Sequence, residues 1–156
     1  VLKNKDVHPE YKLFSGLYLY FAQVAREEYP FISVYLLFFP KGDKKKGLHL
    51  LKKGATSDDI ALKTESAYFL MKIYFYVEKN YPEALTYSTF LVNRYPKNPV
   101  FLLEQQKIMT KLNNRDSVIN IYKTYENMRI KLTESQKQNF DSLYIPNINV
   151  LRHTNN

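Results

Sequence analysis

The side chains that could take part in catalysis or bind a metal ion are few in this sequence, and their spacing favours neither role. The three histidines, His8, His49 and His153, lie far apart and form no H-E-x-x-H or related metal-binding spacing. Cysteine is absent, which excludes disulfide bonds, thiolate metal sites and cysteine nucleophiles. We therefore expect scattered surface or partly buried imidazoles and no metal site.

Carboxylates occur in adjacent pairs, Asp58 with Asp59 and Glu27 with Glu28. Adjacent residues on a helix point in different directions, so neither pair matches a positioned acid and base. The chain has only four glycines, and they form neither a phosphate-binding loop nor a nucleophile elbow. These patterns predict a protein that is not an enzyme and has no cofactor.

Within a net charge of +8, one basic segment stands out. Its lysines are Lys41, Lys44, Lys45, Lys46, Lys52 and Lys53. Such a segment can contact an anionic membrane surface or nucleic-acid phosphates. The simpler interpretation, which we favour, is a solvated turn followed by the start of a helix. No transmembrane span is predicted, because the most apolar run, residues 31–39, is far shorter than the roughly 20 residues that a span needs.

Apolar residues recur at helical spacing along the chain, and short turns separate the predicted helices. Asp43 and Asn98 are predicted N-caps, and Thr133–Gln136 is a predicted capping box. Gly54 is a predicted C-terminal cap, and Pro146 is predicted to follow the end of the last helix. The predicted helices cover approximately residues 9–28, 31–39, 44–53, 57–79, 82–95, 99–112, 115–131 and 134–145.

Two successive segments, 65–98 and 99–132, each contain a predicted helix pair with the same period. In the first, Ala84 is the small residue at the point where the two helices would cross. The stretch NYPEALTYSTFLVNRYPKNP closely resembles the second half of a tetratricopeptide repeat (TPR). Lys72 and Gln106 depart from the family, which often has a small residue at their positions, so we expect a looser or differently curved superhelix.

The resemblance implies an all-α fold: an array of right-handed helical hairpins, or TPR-like α–α superhelix, of about eight helices. It implies a single repeat domain over residues 1–145. The parts of this domain are the clear repeats 65–98 and 99–132, a divergent unit 31–64 and a capping helix 133–145. Residues 146–156 are expected to form a flexible tail, and residues 1–30 precede the repeats.

In tetratricopeptide proteins the first helix of each pair lines a concave surface that binds a partner. The resemblance places eight residues on this face: Ser66, Phe69, Ile73, Tyr76, Val77, Lys107, Thr110 and Lys111. Phe69, Ile73 and Tyr76 share one stripe, which is either an exposed groove for a peptide or core covered by the N-terminal helices. The lysine and asparagine clamp with which some members bind acidic C-terminal peptides is not reproduced, so that specificity is not implied.

Three hypotheses follow for the function. The first is a scaffold that binds a protein or peptide on the concave face, with no role for nucleic acid. The second is a peripheral binder of anionic membrane or nucleic acid through residues 41–53. The third is a purely structural segment whose aromatic stripe is internal or buried in a homo-oligomer, so the oligomeric state stays open. The polar start at Val1 suggests a piece of a longer chain, and with the family likeness it favours a bacterial extracytoplasmic setting, at the periplasm or envelope, over the cytoplasm.

Overall fold

All regular secondary structure is helical in residues 9–29, 31 and 40–153, which are the residues that the computed structural model describes. The all-α prediction is confirmed, whereas the right-handed superhelix stays a prediction and the predicted helix 31–39 falls almost wholly outside the described residues. A π-helical segment, Ile73–Val77, directly follows the third helix. The α-helices are α1 (Pro9–Glu28), α2 (Lys44–Ala55), α3 (Ile60–Lys72), α4 (Tyr81–Arg94), α5 (Pro99–Lys111), α6 (Arg115–Arg129) and α7 (Glu134–His153).

Helix starts follow from short polar side chains that accept hydrogen bonds from the otherwise unpaired N–H groups of the first turn. Asp43 Oδ1 accepts from the N–H of Lys46 at 2.9 Å, and Asn98 Oδ1 accepts from the first turn of α5. At α7 the N–H of Thr133 donates to Gln136 Oε1 at 3.0 Å, and the N–H of Gln136 donates back to Thr133 Oγ1. The predicted N-caps at Asp43 and Asn98 and the predicted capping box are therefore confirmed.

Gly54 does not cap α2, so that prediction is wrong. It lies inside the helix, Thr56 is the C-cap residue, and no described glycine has a positive φ. The reason for glycine here is space, because a Cβ on Gly54 would lie 2.2 Å from Ser66 Oγ. The absent side chain lets the backbone of α2 approach Ser66 of α3 at this point.

The predicted single helix 57–79 is also wrong, because its hydrogen bonding changes after Lys72. In Ile73–Val77 the bonds span five residues, as in the 3.0 Å bond from the N–H of Glu78 to the carbonyl oxygen of Ile73. Lys79 then takes a left-handed conformation with φ 53° and reverses the chain. The predicted helix is thus an α-helix, a π-helical turn and a tight reversal.

The last helix passes through Pro146, whereas the sequence predicted that it would end before this residue. α7 continues to His153, so residues 146–153 of the predicted flexible tail are helical. A proline within a helix removes one N–H donor and clashes with the preceding turn, which is why the sequence predicted an end to the helix here.

The chain divides into two compact units, Val1–Leu70 and Met71–Asn156. In the first unit α1 packs against α2 at glycines, since a Cβ on Gly47 would lie 2.7 Å from both Gly16 O and Tyr20 N. Among the described helices, α2 therefore contacts α1, which the repeat alignment leaves outside the repeats. The prediction of one domain over residues 1–145 stays a prediction.

In the second unit α5 packs against α4, α6 and α7. The rings of Tyr125 on α6 and Tyr144 on α7 stack with centroids 4.0 Å apart. Beside them Asp141 accepts hydrogen bonds from the Arg129 guanidinium and, at 2.8 Å, from Tyr125 Oη. These hydrogen bonds, mainly those from Arg129, lower the pKa of Asp141. Ala84, the small residue predicted where two helices would cross, is fully buried.

Candidate functional site

A buried carboxylate lies at the centre of the polar site in the second unit. Glu104 is the acidic residue of α5, a helix that otherwise carries apolar, amide and basic residues. Its neighbours Leu102 and Leu103 belong to the core, and only 7% of the Glu104 side chain is exposed. A buried carboxylate is strongly unfavourable unless hydrogen bonds and opposite charges compensate for lost hydration.

Three side chains supply that compensation, and with Glu104 we call them the Glu104 cluster: Lys72, Tyr76, Glu104 and Lys107. Oε1 of Glu104 lies 3.2 Å from Lys72 Nζ and 3.1 Å from Lys107 Nζ, while Oε2 accepts a 3.2 Å hydrogen bond from Tyr76 Oη. Lys107 Nζ also donates to Tyr76 Oη at 3.4 Å. The four groups therefore hold one another in a closed network.

The π-helical segment provides one side of this cluster. Lys72 ends α3 and Tyr76 lies within the π-helix, so the two residues are one turn apart. Lys72 Nζ lies 4.5 Å from the centroid of the Tyr76 ring, within cation–π range. The π-helical turn, a feature often found at functional sites, thus carries a tyrosine whose ring contacts Lys72 Nζ and whose hydroxyl contacts Lys107 Nζ.

The electrostatics of the cluster leave it positively charged. Two ammonium groups meet one carboxylate, so the formal charge of the cluster is positive. Burial alone lowers the pKa of Lys107, but attraction to Glu104 and the hydrogen bonds to Glu104 and Tyr76 outweigh it, and the pKa is raised. Lys107 is therefore protonated at neutral pH, and the cluster is suited to an anionic group rather than a cation.

The structure distributes the eight predicted partner-binding residues unevenly. Tyr76 is 42% exposed and Lys111 is exposed, while Lys107, Val77 and Thr110 are half-buried. Ser66 and Ile73 are 0% and 1% exposed. Their side chains cannot contact a partner, so the two residues are not part of the proposed binding face. Phe69 is half-buried and belongs to the first unit. The predicted aromatic stripe is therefore divided, because Tyr76 is exposed, Phe69 is half-buried and Ile73 belongs to the core.

Sequence reasoning missed Lys72 and Glu104. The available signal was a single acidic residue on an otherwise apolar and basic helix, with Lys107 one turn later. That signal indicates a local ion pair at i, i+3. It does not indicate Lys72, which is 32 residues away from Glu104 in the chain.

The predicted basic segment forms one exposed face of α2. At 100° per residue, Lys45, Lys46, His49, Lys52 and Lys53 fall within an arc of about 120°, and all five are exposed. Of the predicted lysines outside this face, Lys41 is exposed in the preceding turn, and Lys44 is half-buried with its Nζ 2.5 Å from a Glu27 carboxylate oxygen. We call the five exposed residues the basic face of α2.

The described part of the chain contains neither a metal-binding cluster nor a helix that could span a membrane. No group of three or more His, Cys, Asp or Glu side chains there is arranged to hold a metal ion. Among the described helices, none combines the length and apolar character needed to cross a membrane. Comparisons with protein-family models, curated proteins and solved structures give no match to this chain.

Proposed function

We propose that the chain is a non-enzymatic scaffold that binds a protein or peptide at a face formed by Tyr76, Lys107 and Lys111. The observation that carries this proposal is the Glu104 cluster. Its hydrogen bonds hold the Tyr76 hydroxyl at the buried carboxylate, while 42% of the residue stays exposed. The exposed part of an aromatic residue that is fixed in this way can contact a partner.

The physical basis is preorganisation. Binding is weakened when mobile side chains must be ordered, and a side chain that is already held avoids most of that loss. Tyrosine buries a large area for two rotatable bonds, and it is enriched among the residues that dominate binding energy. Lys111 lies one turn after Lys107 on α5, so the face also carries positive charge that favours a partner with acidic groups.

The test compares wild type with a Tyr76→Ala/Lys111→Glu variant. These changes remove the exposed ring and reverse an exposed charge, and they leave the Lys72–Glu104–Lys107 contacts in place. Proteins retained from the native lysate are quantified by mass spectrometry, and we expect one specific protein to be lost by at least about tenfold, as for removal of a binding hot spot.

The matched control is Ile119→Ala/Lys123→Glu on α6, where Ile119 is also 42% exposed and Lys123 is exposed. This control should retain the partner as wild type does. If both variants lose the same proteins, or neither loses any, the face around Tyr76 is not the binding site.

A second candidate function rests on the basic face of α2. Four lysines and a histidine share one exposed face of a helix that has no acidic residue. Clustered like charges repel one another, and an anionic partner would relieve this repulsion. We propose, as the alternative, that this face attaches the chain to an anionic membrane surface.

Sedimentation with vesicles containing phosphatidylserine tests the alternative. Wild type should bind these vesicles and dissociate from them as the salt concentration rises, and it should not bind vesicles of pure phosphatidylcholine. At about 1 kcal/mol per basic residue, Lys45→Glu/Lys52→Glu should weaken binding by at least about 30-fold. Lys97→Glu/Lys123→Glu makes the same change in charge elsewhere and should bind as wild type does. The membrane function would be excluded if vesicle binding did not depend on the salt concentration. It would also be excluded if the chain bound a DNA duplex but not the vesicles.

A further inference from the structure

A groove in the second unit lies between the turn that precedes α5 and the end of α6. Its volume is about 480 Å³, which falls within the range of sites that bind small molecules or peptide side chains. Pro96 and Pro99 form one side, and Met128 and Leu132 form the other. The Glu104 cluster contributes none of the lining residues, so the groove is a separate surface.

The floor of the groove is held by the core. Met128 and Leu132 are partly buried and pack against the cluster of Leu102, Leu103, Ile121, Tyr125 and Tyr144. The two prolines have fixed φ angles, so the opposite side is also stiff. Methionine is unbranched and adapts its shape to different apolar contacts. The groove is therefore apolar, preformed and tolerant of the exact side chain that enters it.

Two lysines at the rim determine the charge of the groove. Lys97 and Lys131 are both exposed, and neither has a carboxylate partner among the described residues. No acidic residue lines the groove. An apolar centre with unpaired positive charge at its edge complements an apolar segment bordered by carboxylates.

We infer that this groove binds a segment of a partner protein in which apolar side chains are flanked by aspartate or glutamate. The apolar side chains enter between the prolines and Met128, and the flanking carboxylates meet Lys97 and Lys131. The inference does not depend on the face around Tyr76, because the two surfaces share no residue.

Methyl NMR of the whole chain tests the inference, because the sequence has three methionines. Met128 lines the groove, Met71 is fully buried and Met109 is half-buried outside it, so two signals act as internal references. The probe is an end-blocked Asp-Glu-Leu-Leu-Asp-Glu peptide, and its counterpart has lysine in place of every acid. We expect the acidic peptide alone to shift the Met128 signal in a saturable way.

Two charge-matched variants locate the effect. Lys97→Glu/Lys131→Glu should lower the affinity for the acidic peptide by at least about tenfold and should allow the lysine peptide to bind. Lys45→Glu/Lys123→Glu should behave as wild type, and so should Tyr76→Ala/Lys111→Glu, which separates this result from the proposed function. The inference is overturned if Met128 does not respond at millimolar acidic peptide, if both peptides bind wild type equally, or if the two charge variants respond alike.

Discussion

At the scale of single residues, Glu104 shows how an acid can occupy a helix that packs in a core. The carboxylate would be costly to bury alone, but its oxygens lie within hydrogen-bonding distance of two ammonium groups and a phenol. The same contacts hold Tyr76 at the surface. A residue that stabilises the fold thus also prepares the proposed binding face.

Replacement of Glu104 by glutamine tests this role. The amide has nearly the same shape but loses the charge, and its NH₂ group meets donors rather than acceptors. We expect Glu104→Gln to lower the free energy of unfolding by about 1–3 kcal/mol, measured by urea denaturation with circular dichroism. Glu65→Gln changes an exposed acid in the same way and should stay within about 0.5 kcal/mol of wild type.

The pH dependence provides a second measurement on the same variant. Because the folded-state pKa of Lys107 is raised, its contribution to stability is complete below the unfolded-state pKa of about 10.4 and is lost as pH rises through the folded-state value. Glu104→Gln removes the main source of that rise. The difference in stability between the two proteins should therefore narrow above pH ~10.4, and a constant difference across this range would contradict the proposed ion pairs.

At the scale of elements, helix ends and helix contacts have different origins. The caps at Asp43, Asn98 and Thr133 act over two or three residues, so each helix start is a local property. Contacts between helices instead depend on shape. Gly47 shows this, because its small size matters only where α2 meets α1.

Substitution of alanine for Gly47 should separate α1 from α2. The added Cβ would lie 2.7 Å from Gly16 O and 2.9 Å from Tyr20 Cβ, so backbone must move. Although alanine favours helix, we expect a net loss of about 1–3 kcal/mol, as for other overpacked contacts. Thermal unfolding followed by circular dichroism measures the loss.

The control for the glycine contact is Lys45→Ala on the exposed face of the same helix. It should match or slightly exceed wild type in stability, because alanine is the better helix former and no contact is lost. If Gly47→Ala were as stable as this control, the close approach of α1 and α2 would not contribute to the stability of the first unit.

At the scale of the whole molecule, each of the two compact units carries its own candidate surface. The basic face of α2 belongs to Val1–Leu70, and the Glu104 cluster and the apolar groove belong to Met71–Asn156. The stability effects of Gly47→Ala and Glu104→Gln therefore act on different cores, and they should add when combined, as expected for sites without shared partners.

The sequence alone determined the helical class and, to within one residue, six of the described helix starts at their caps and prolines, because these depend on side chains within a few residues of one another. Tertiary structure decided which predicted site residues reach the surface. Ile73 and Ser66 are buried, while Tyr76 on the same stripe is exposed. Lys72 meets Glu104 across 32 residues of chain, and Gly54 is small because Ser66 lies against it. Residues far apart in sequence set these contacts, and helical periodicity records only near neighbours.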